Sequence, residues 1–202
     1  MTLKPGLYQI RYVPAHITPP FLGGVHAVGE DINKPIEALP LFPPFKGVHT
    51  WEVTRALDNK DQWVILTPSF RSHSIIHRIG PVRAGWGRPL RKAIQADELD
   101  PEAAAEAEVL ADKEAEEEGL LPHPDLAVLF TTTIKNWVIT QASDGGGDPN
   151  KATYTITVPT KLVGAIAAVG VENNHVVTKN YPVIESLHYR TPTWQFVPVN
   201  TN

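Results

Sequence analysis

The chain has no cysteine. A disulfide framework, a thiol nucleophile and a zinc site built on cysteine are therefore all excluded. The chain also lacks any hydrophobic run near the roughly 20 residues that a membrane-spanning helix needs, and its start, Met1 to Gly6, lacks the apolar stretch of a secretory signal. We therefore expect a cytoplasmic protein that has no membrane partner and that is stabilised by packing alone.

Catalytic and cofactor-binding motifs are equally scarce. There is no His-Glu-x-x-His, no Gly-x-Ser-x-Gly and no phosphate-binding loop. His73 and His77 have a spacing that suits a metal on a helix, but Ser74 to Ile76 between them has the character of a strand. Gly145 to Gly147 is followed by neither the lysine nor the helix of a phosphate loop and predicts a hairpin turn. The sequence thus predicts a protein that is not an enzyme and binds no metal or cofactor.

Proline and glycine, by contrast, are abundant and evenly spread. The 202 residues include 19 prolines and 14 glycines, which flank short apolar runs. This pattern is typical of many short strands joined by turns. A chain of this length with 42% hydrophobic residues can fill one core and is short for two. We therefore predict a single all-β domain over residues 1–202.

An aromatic-x-aliphatic signature recurs six times along the chain. The two outer residues of each signature point the same way on a strand and can enter one core. The signatures form pairs that begin at Tyr8 and Trp51, at Trp63 and Trp137, and at Tyr154 and Trp194; the paired positions lie 43, 74 and 40 residues apart. Three units of about forty residues predict a β-trefoil, a barrel whose first and last strands lie side by side.

The long middle unit contains a strongly acidic segment. Ala96 to Glu118 holds 11 of the 22 acidic residues and only one of the 18 basic ones, which leaves the rest of the chain a net charge of +6. Asp100-Pro101-Glu102 and Gly119 are helix start and stop signals around an interior rich in alanine and glutamate. We predict a helical insertion over about residues 96–121, either as a solvated surface helix or as a docking element for a partner.

A basic stretch raises the question of nucleic acid. Six basic residues and Trp86 lie between Arg71 and Lys92 without an acidic residue among them. The acidic segment that follows could screen these bases, and a sequence pI of about 6.0 is unlike that of nucleic-acid-binding domains. We therefore expect no nucleic-acid partner.

Two loops are unusual because they are apolar and rich in proline. The first runs from Pro14 to Gly24 and the second from Pro40 to Gly47. Proline stiffens a loop before it binds, phenylalanine and leucine supply apolar anchors, and paired glycines let another backbone approach closely. Such loops suit a protein cleft. The alternative is that Phe21, Phe42 and Phe45 cover the end of the barrel.

These segments carry a family resemblance. The opening Gly6-Leu7-Tyr8-Gln9-Ile10-Arg11-Tyr12, the Pro-Pro-Phe-Leu-Gly-Gly loop, Pro40-Leu41 before Trp51, and the terminal Trp194-Gln195-Phe196 together resemble the mycocypins, the fungal β-trefoil protease inhibitors of the clitocypin and macrocypin type. The resemblance implies that two loops plug the active-site cleft of papain-like cysteine proteases. The residues that it assigns to protease binding are Pro19, Pro20, Phe21, Leu22, Gly23, Gly24, Phe42, Pro43, Pro44, Phe45, Lys46 and Gly47.

The resemblance also implies a separate loop that can engage a second class of protease. Its equivalent here contains Phe70, Arg71 and Ser72, and Arg71 would favour a trypsin-like serine protease, although a lone exposed arginine is more often plain surface. A β-trefoil lectin is the alternative function, because the same fold hosts sugar binding. The Gln-x-Trp repeat of ricin-like lectins is absent, but other lectins of this fold lack it too.

Overall fold

The computed structural model describes residues 3–14, 24–40, 47–68, 83–88, 127–148, 151–159, 164–183 and 191–199. These residues form thirteen strands: β1 (Gly6–Val13), β2 (His26–Val28), β3 (Lys34–Pro35), β4 (Glu37–Leu39), β5 (Trp51–Arg55), β6 (Trp63–Leu66), β7 (Gly85–Gly87), β8 (Leu129–Thr131), β9 (Val138–Ser143), β10 (Thr153–Thr157), β11 (Ala165–Glu172), β12 (His175–Pro182) and β13 (Thr193–Pro198). Within the described ranges, helical structure is limited to one 3-10 turn, Gly145–Gly147, in the connection between β9 and β10.

The predicted aromatic signatures all lie where the core is built. Each pair consists of direct cross-strand neighbours: Tyr8 with Trp51, Trp63 with Trp137, and Tyr154 with Trp194. Their side chains, with the apolar residues two positions on, belong to the core or pack against it. The first and last strands also lie side by side as predicted, with β1 and β13 antiparallel from Tyr8–Pro198 to Val13–Thr193.

The centre of the core is a cluster of tryptophans, all of which are buried. Trp86 packs edge-to-face against Trp51, Trp137 and Trp194, with ring centroids 5.9, 6.1 and 6.2 Å away. Each such pair is worth about 0.5–1.5 kcal/mol beyond the area that it buries. Because Trp86 is fully buried, it cannot stack on nucleic acid, and the nearby Arg83 is paired at 2.7 Å with Glu52.

The prediction of a β-trefoil was wrong. The hydrogen-bonded ladder closes as an antiparallel barrel of seven strands, in the order β13, β10, β11, β12, β4, β2, β1 and back to β13. Four of those seven strands follow residue 150, so three equivalent units do not contribute equally to the ladder. The predicted acidic helical insertion, residues 96–121, lies outside the described residues and stays a prediction. None of the described residues forms a helix long and apolar enough to span a membrane.

A tight hairpin explains why the last part of the chain supplies so much of the barrel. β11 and β12 pair over eight consecutive positions, from Ala165–Pro182 to Glu172–His175. Asn173 and Asn174 connect the two strands with φ angles of 47° and 61°. Two consecutive left-handed residues match the right-handed twist of the strands, and asparagine tolerates this conformation well. The hairpin then joins the first part of the chain where His175 faces Glu37 of β4.

Candidate functional site

Most of the residues predicted to bind a protease lie outside the described part of the chain. Among them are Pro19 to Gly23 of the first loop and Phe42 to Lys46 of the second. Phe70, Arg71 and Ser72 of the additional loop lie outside it as well, as do His73 and His77. Gly24 and Gly47 are described, and so are the strands that hold both loops. The geometry of those anchors shows where the loops begin and end.

The two ends of the first loop are held next to each other. The backbone N–H of Tyr12, in β1, donates to the carbonyl oxygen of Val25 at 2.9 Å, and Arg11 faces His26 across the β1–β2 pair. Gly24 immediately precedes this contact and has a φ of 101°, a conformation that favours glycine. The described residues on either side of residues 15–23 are therefore neighbours in the barrel.

The second loop begins beside the first. β2 lies between β1 and β4, and His26 faces Leu39 on the side away from Arg11. The chain then enters residues 41–46 and returns at Gly47, which has a φ of 68°. The next residue, Val48, exchanges two backbone hydrogen bonds with Gly29, of 2.9 and 2.6 Å. The second loop thus starts at one end of the short strand β2 and is fastened again at the other.

A row of polar side chains crosses the strands beneath these anchors. Arg11 of β1 faces Gln195 of β13 on one side and His26 of β2 on the other. Its guanidinium donates to the side-chain oxygen of Gln195, which is fully buried. Sequence reasoning missed this row, because alternation places Arg11 and Gln195 on the strand face opposite Ile10 and Phe196, where polar residues ordinarily meet solvent.

His26 is the group in this row whose pKa the protein environment shifts most. Burial lowers its pKa to about 4, and the positive charge of Arg11 and the neighbouring His49 act in the same direction. The imidazole is therefore neutral at neutral pH. Protonation would place a second positive charge beside Arg11, between the anchors of the two loops.

We expect the protein to lose stability in acid through His26. Its pKa is about 4 in the folded protein and near 6.5 when unfolded, so the unfolded chain binds more protons between these values. The contribution of His26 to the free energy of unfolding is therefore fully present above pH 6.5 and is lost as the pH drops toward 4. Because the side chain is partly exposed, solvent screening reduces the expected loss to about 1.5 kcal/mol.

Urea unfolding at several pH values measures this effect, with His26→Gln as the matched control. Carboxylates titrate in the same range, so the informative quantity is the difference between the two proteins. The wild type should lose more stability than His26→Gln between pH 7 and pH 4. Parallel curves for both proteins would show that His26 does not carry the effect.

The described residues offer no obvious metal centre: no group of three or more histidine, aspartate or glutamate side chains lies close enough to hold an ion. What the strands position is a pair of adjacent loop anchors. That arrangement can present two loops to one partner. It does not itself assemble a reacting group.

Comparison with known proteins identifies the family. The model of the peptidase inhibitor clitocypin family matches residues 6–196. Clitocypin-2 of Clitocybe nebularis is 27% identical over 195 residues, which cover 96% of this chain and 97% of that protein. Clitocypin of the same fungus is 30% identical over 101 residues, 50% of this chain and 55% of its own length. The chain therefore belongs to the clitocypin family of peptidase inhibitors, and it is an inhibitor of proteases and not an enzyme.

Proposed function

We propose that this protein inhibits papain-like cysteine proteases by inserting its two proline-rich loops together into the active-site cleft. The contact residues would be Pro19 to Gly24 and Phe42 to Gly47. The observation that carries the proposal is the shared anchor at β2. The first loop returns into β2, and the second departs from the end of β4, which pairs directly with β2 where His26 faces Leu39.

The spacing of the anchors supports a joint action of the loops. Neighbouring antiparallel strands lie about 4.8 Å apart, so β1 and β4, which flank β2, are separated by roughly 10 Å. Loops that leave the barrel so close together can reach into one cleft from the same side. Two loops on separate faces would each need a partner surface of their own.

The stiffness of the anchors supports tight binding. The backbone bonds from Tyr12 to Val25 and between Gly29 and Val48 fasten three of the four loop ends within one or two residues. The two loops together hold six prolines, three in each. A loop that is ordered before binding loses little conformational entropy when it docks. Affinity would then come from apolar contacts and shape, and no inhibitor residue would take part in chemistry.

Steady-state inhibition of papain tests the proposal, with the double variant Phe21→Asp/Phe45→Asp as the key comparison. Aspartate in either loop would have to enter an apolar contact without a partner, so we expect the inhibition constant to rise by more than about hundredfold. Val183→Asp is the matched control, because it places the same charge at an exposed aliphatic residue outside both loops. It should leave papain inhibition unchanged.

Two outcomes would contradict the proposal. Papain that stays fully active in the presence of excess wild-type protein would exclude this target class. A double variant as potent as the wild type would place the inhibitory surface elsewhere. Trypsin run in parallel tests the separate prediction for Arg71.

A further inference from the structure

The loop from Ala56 to Gln62, which joins β5 to β6, presents a leucine to solvent. Leu57 is fully exposed, more so than any other large hydrophobic side chain among the described residues. A lone exposed leucine is ordinary on a protein surface. Leu57 differs because the backbone on both sides of it is held by specific contacts while its own side chain touches nothing that would bury it.

Arg55 and Ala56 fasten the base of this loop. The Arg55 guanidinium lies 3.8 Å over the ring of Trp63 and donates through Nη1 to the carbonyl oxygen of Lys60 at 2.9 Å. The backbone N–H of Ala56 donates to the carbonyl oxygen of Gln62, also at 2.9 Å. The residue directly before Leu57 is therefore fixed to the returning arm of the loop.

The other side of Leu57 is fastened to a different part of the barrel. Both carboxylate oxygens of Asp58 accept from Nδ2 of Asn136, at 3.0 and 3.2 Å. The side-chain oxygen of Asn59 accepts from the N–H of Asp61 at 3.0 Å. The loop is thus shaped before any partner arrives, and its exposed leucine has charged residues of both signs close by in the sequence, at Asp58, Lys60 and Asp61.

The register of the sheet places this loop far from the first proline-rich loop. Along the β1–β5 pair, Trp51 faces Tyr8 and Val53 faces Gly6, so the chain reaches Leu57 beyond the Gly6 end of β1. The first proline-rich loop leaves β1 beyond its other end, at Val13. Seven residue steps of an extended strand separate these ends by about 23 Å. The loop that carries Leu57 and the first proline-rich loop therefore lie beyond opposite ends of β1.

We propose that residues 56–62 form a second, independent protease-binding site that inserts Leu57 into the specificity pocket of a serine protease selective for large apolar side chains. An ordered loop that presents one fully exposed aliphatic side chain among polar neighbours fits a concave apolar pocket, which is how such proteases select a substrate. The family assignment makes a protease the partner. The proposal does not depend on papain being the target of the other loops.

Chymotrypsin is the probe, assayed with the full-length chain. The wild type should inhibit it, and Leu57→Asp should raise the inhibition constant by more than about fiftyfold, because a carboxylate is poorly tolerated in an apolar pocket. Asn136→Ala keeps the leucine but releases Asp58, so it should weaken inhibition by about five- to tenfold through lost order. Leu57→Arg should no longer inhibit chymotrypsin, and it should inhibit trypsin more strongly than the wild type does.

Controls separate this site from the fold and from the other loops. Val183→Asp should inhibit chymotrypsin as the wild type does, and Leu57→Asp should melt at the wild-type temperature because the side chain is exposed. Papain inhibition should be unchanged in every Leu57 variant, so failure at one protease is distinguishable from failure at the other. Active chymotrypsin at excess wild-type protein, or equal inhibition by wild type and Leu57→Asp, would overturn the proposal.

Discussion

Replacing Trp51 by alanine is expected to lower the free energy of unfolding by about 5 kcal/mol, close to the whole stability of many domains of this size. Trp51 is fully buried and packs edge-to-face against Trp86 and Phe130, each with ring centroids 5.9 Å away. Its indole N–H also donates to the carbonyl oxygen of Ala27 at 2.9 Å. Alanine would leave a large cavity and a buried carbonyl without its donor.

Circular dichroism during thermal and urea unfolding measures this loss. Trp51→Phe is the informative control, because it keeps most of the ring and removes the donor; it should lose about 2 kcal/mol. Since Ala27 lies in β2, between the anchors of the two proline-rich loops, any Trp51→Ala protein that still folds should also inhibit papain more weakly. A melting temperature within a few degrees of the wild type would show that the tryptophan cluster does not hold the core.

Gly47→Ala is expected to lower both stability and papain inhibition. Gly47 has a φ of 68°, and a Cβ at this position would lie 2.7 Å from the carbonyl oxygen of Gly29 and 3.0 Å from Cγ1 of Val28. The oxygen of Gly29 accepts from the N–H of Val48 in the pair that closes the second loop. Backbone strain of about 1–2 kcal/mol and the loss of this pair should together reach about 3 kcal/mol.

Gly164→Ala is the control that separates the steric clash of the new Cβ from the backbone strain of a positive φ. Gly164 has a φ of 75°, but a Cβ there would meet nothing within 4 Å. It should therefore show the strain alone, about 1–2 kcal/mol, and leave papain inhibition intact. For Gly47→Ala we expect the inhibition constant to rise by about tenfold or more, because the end of the second loop moves. Equal effects of the two substitutions would show that the pair of Gly29 and Val48 does not position the loop.

Strand positions and core residues were predictable because both follow from local alternation. Residues two apart on a strand share a face, so the aromatic-x-aliphatic signature identified which side chains enter the core, as Trp51 and Trp194 do. The adjacency of the first and last strands was predicted separately, from the spacing of the six signatures along the chain. The resemblance to a protease inhibitor family was readable in short segments near Tyr8, Pro40 and Trp194, and the family is confirmed over residues 6–196.

The features that the sequence did not predict depend on contacts between residues far apart in the chain. The closure of the ladder through seven strands is settled at junctions such as Glu37 with His175, which no local pattern specifies. Gln195 looked like an outward residue, yet it is fully buried against Arg11. Leu57 carried no signal at all, because its significance lies in how Asn136, far along the chain, fastens the neighbouring Asp58.

By itself the sequence determined the all-β class, the inward-facing residues, the family and the apolar character of the two loops, because each of these depends on residues close together in the chain. Tertiary structure alone decided which strands close the barrel and that the anchors of both loops lie beside β2. It also decided that His26 is buried beside Arg11, and that Leu57 is exposed beyond the end of β1 opposite the first proline-rich loop. Pairing energies are summed over partners that the chain brings together only on folding, so no local pattern contains them.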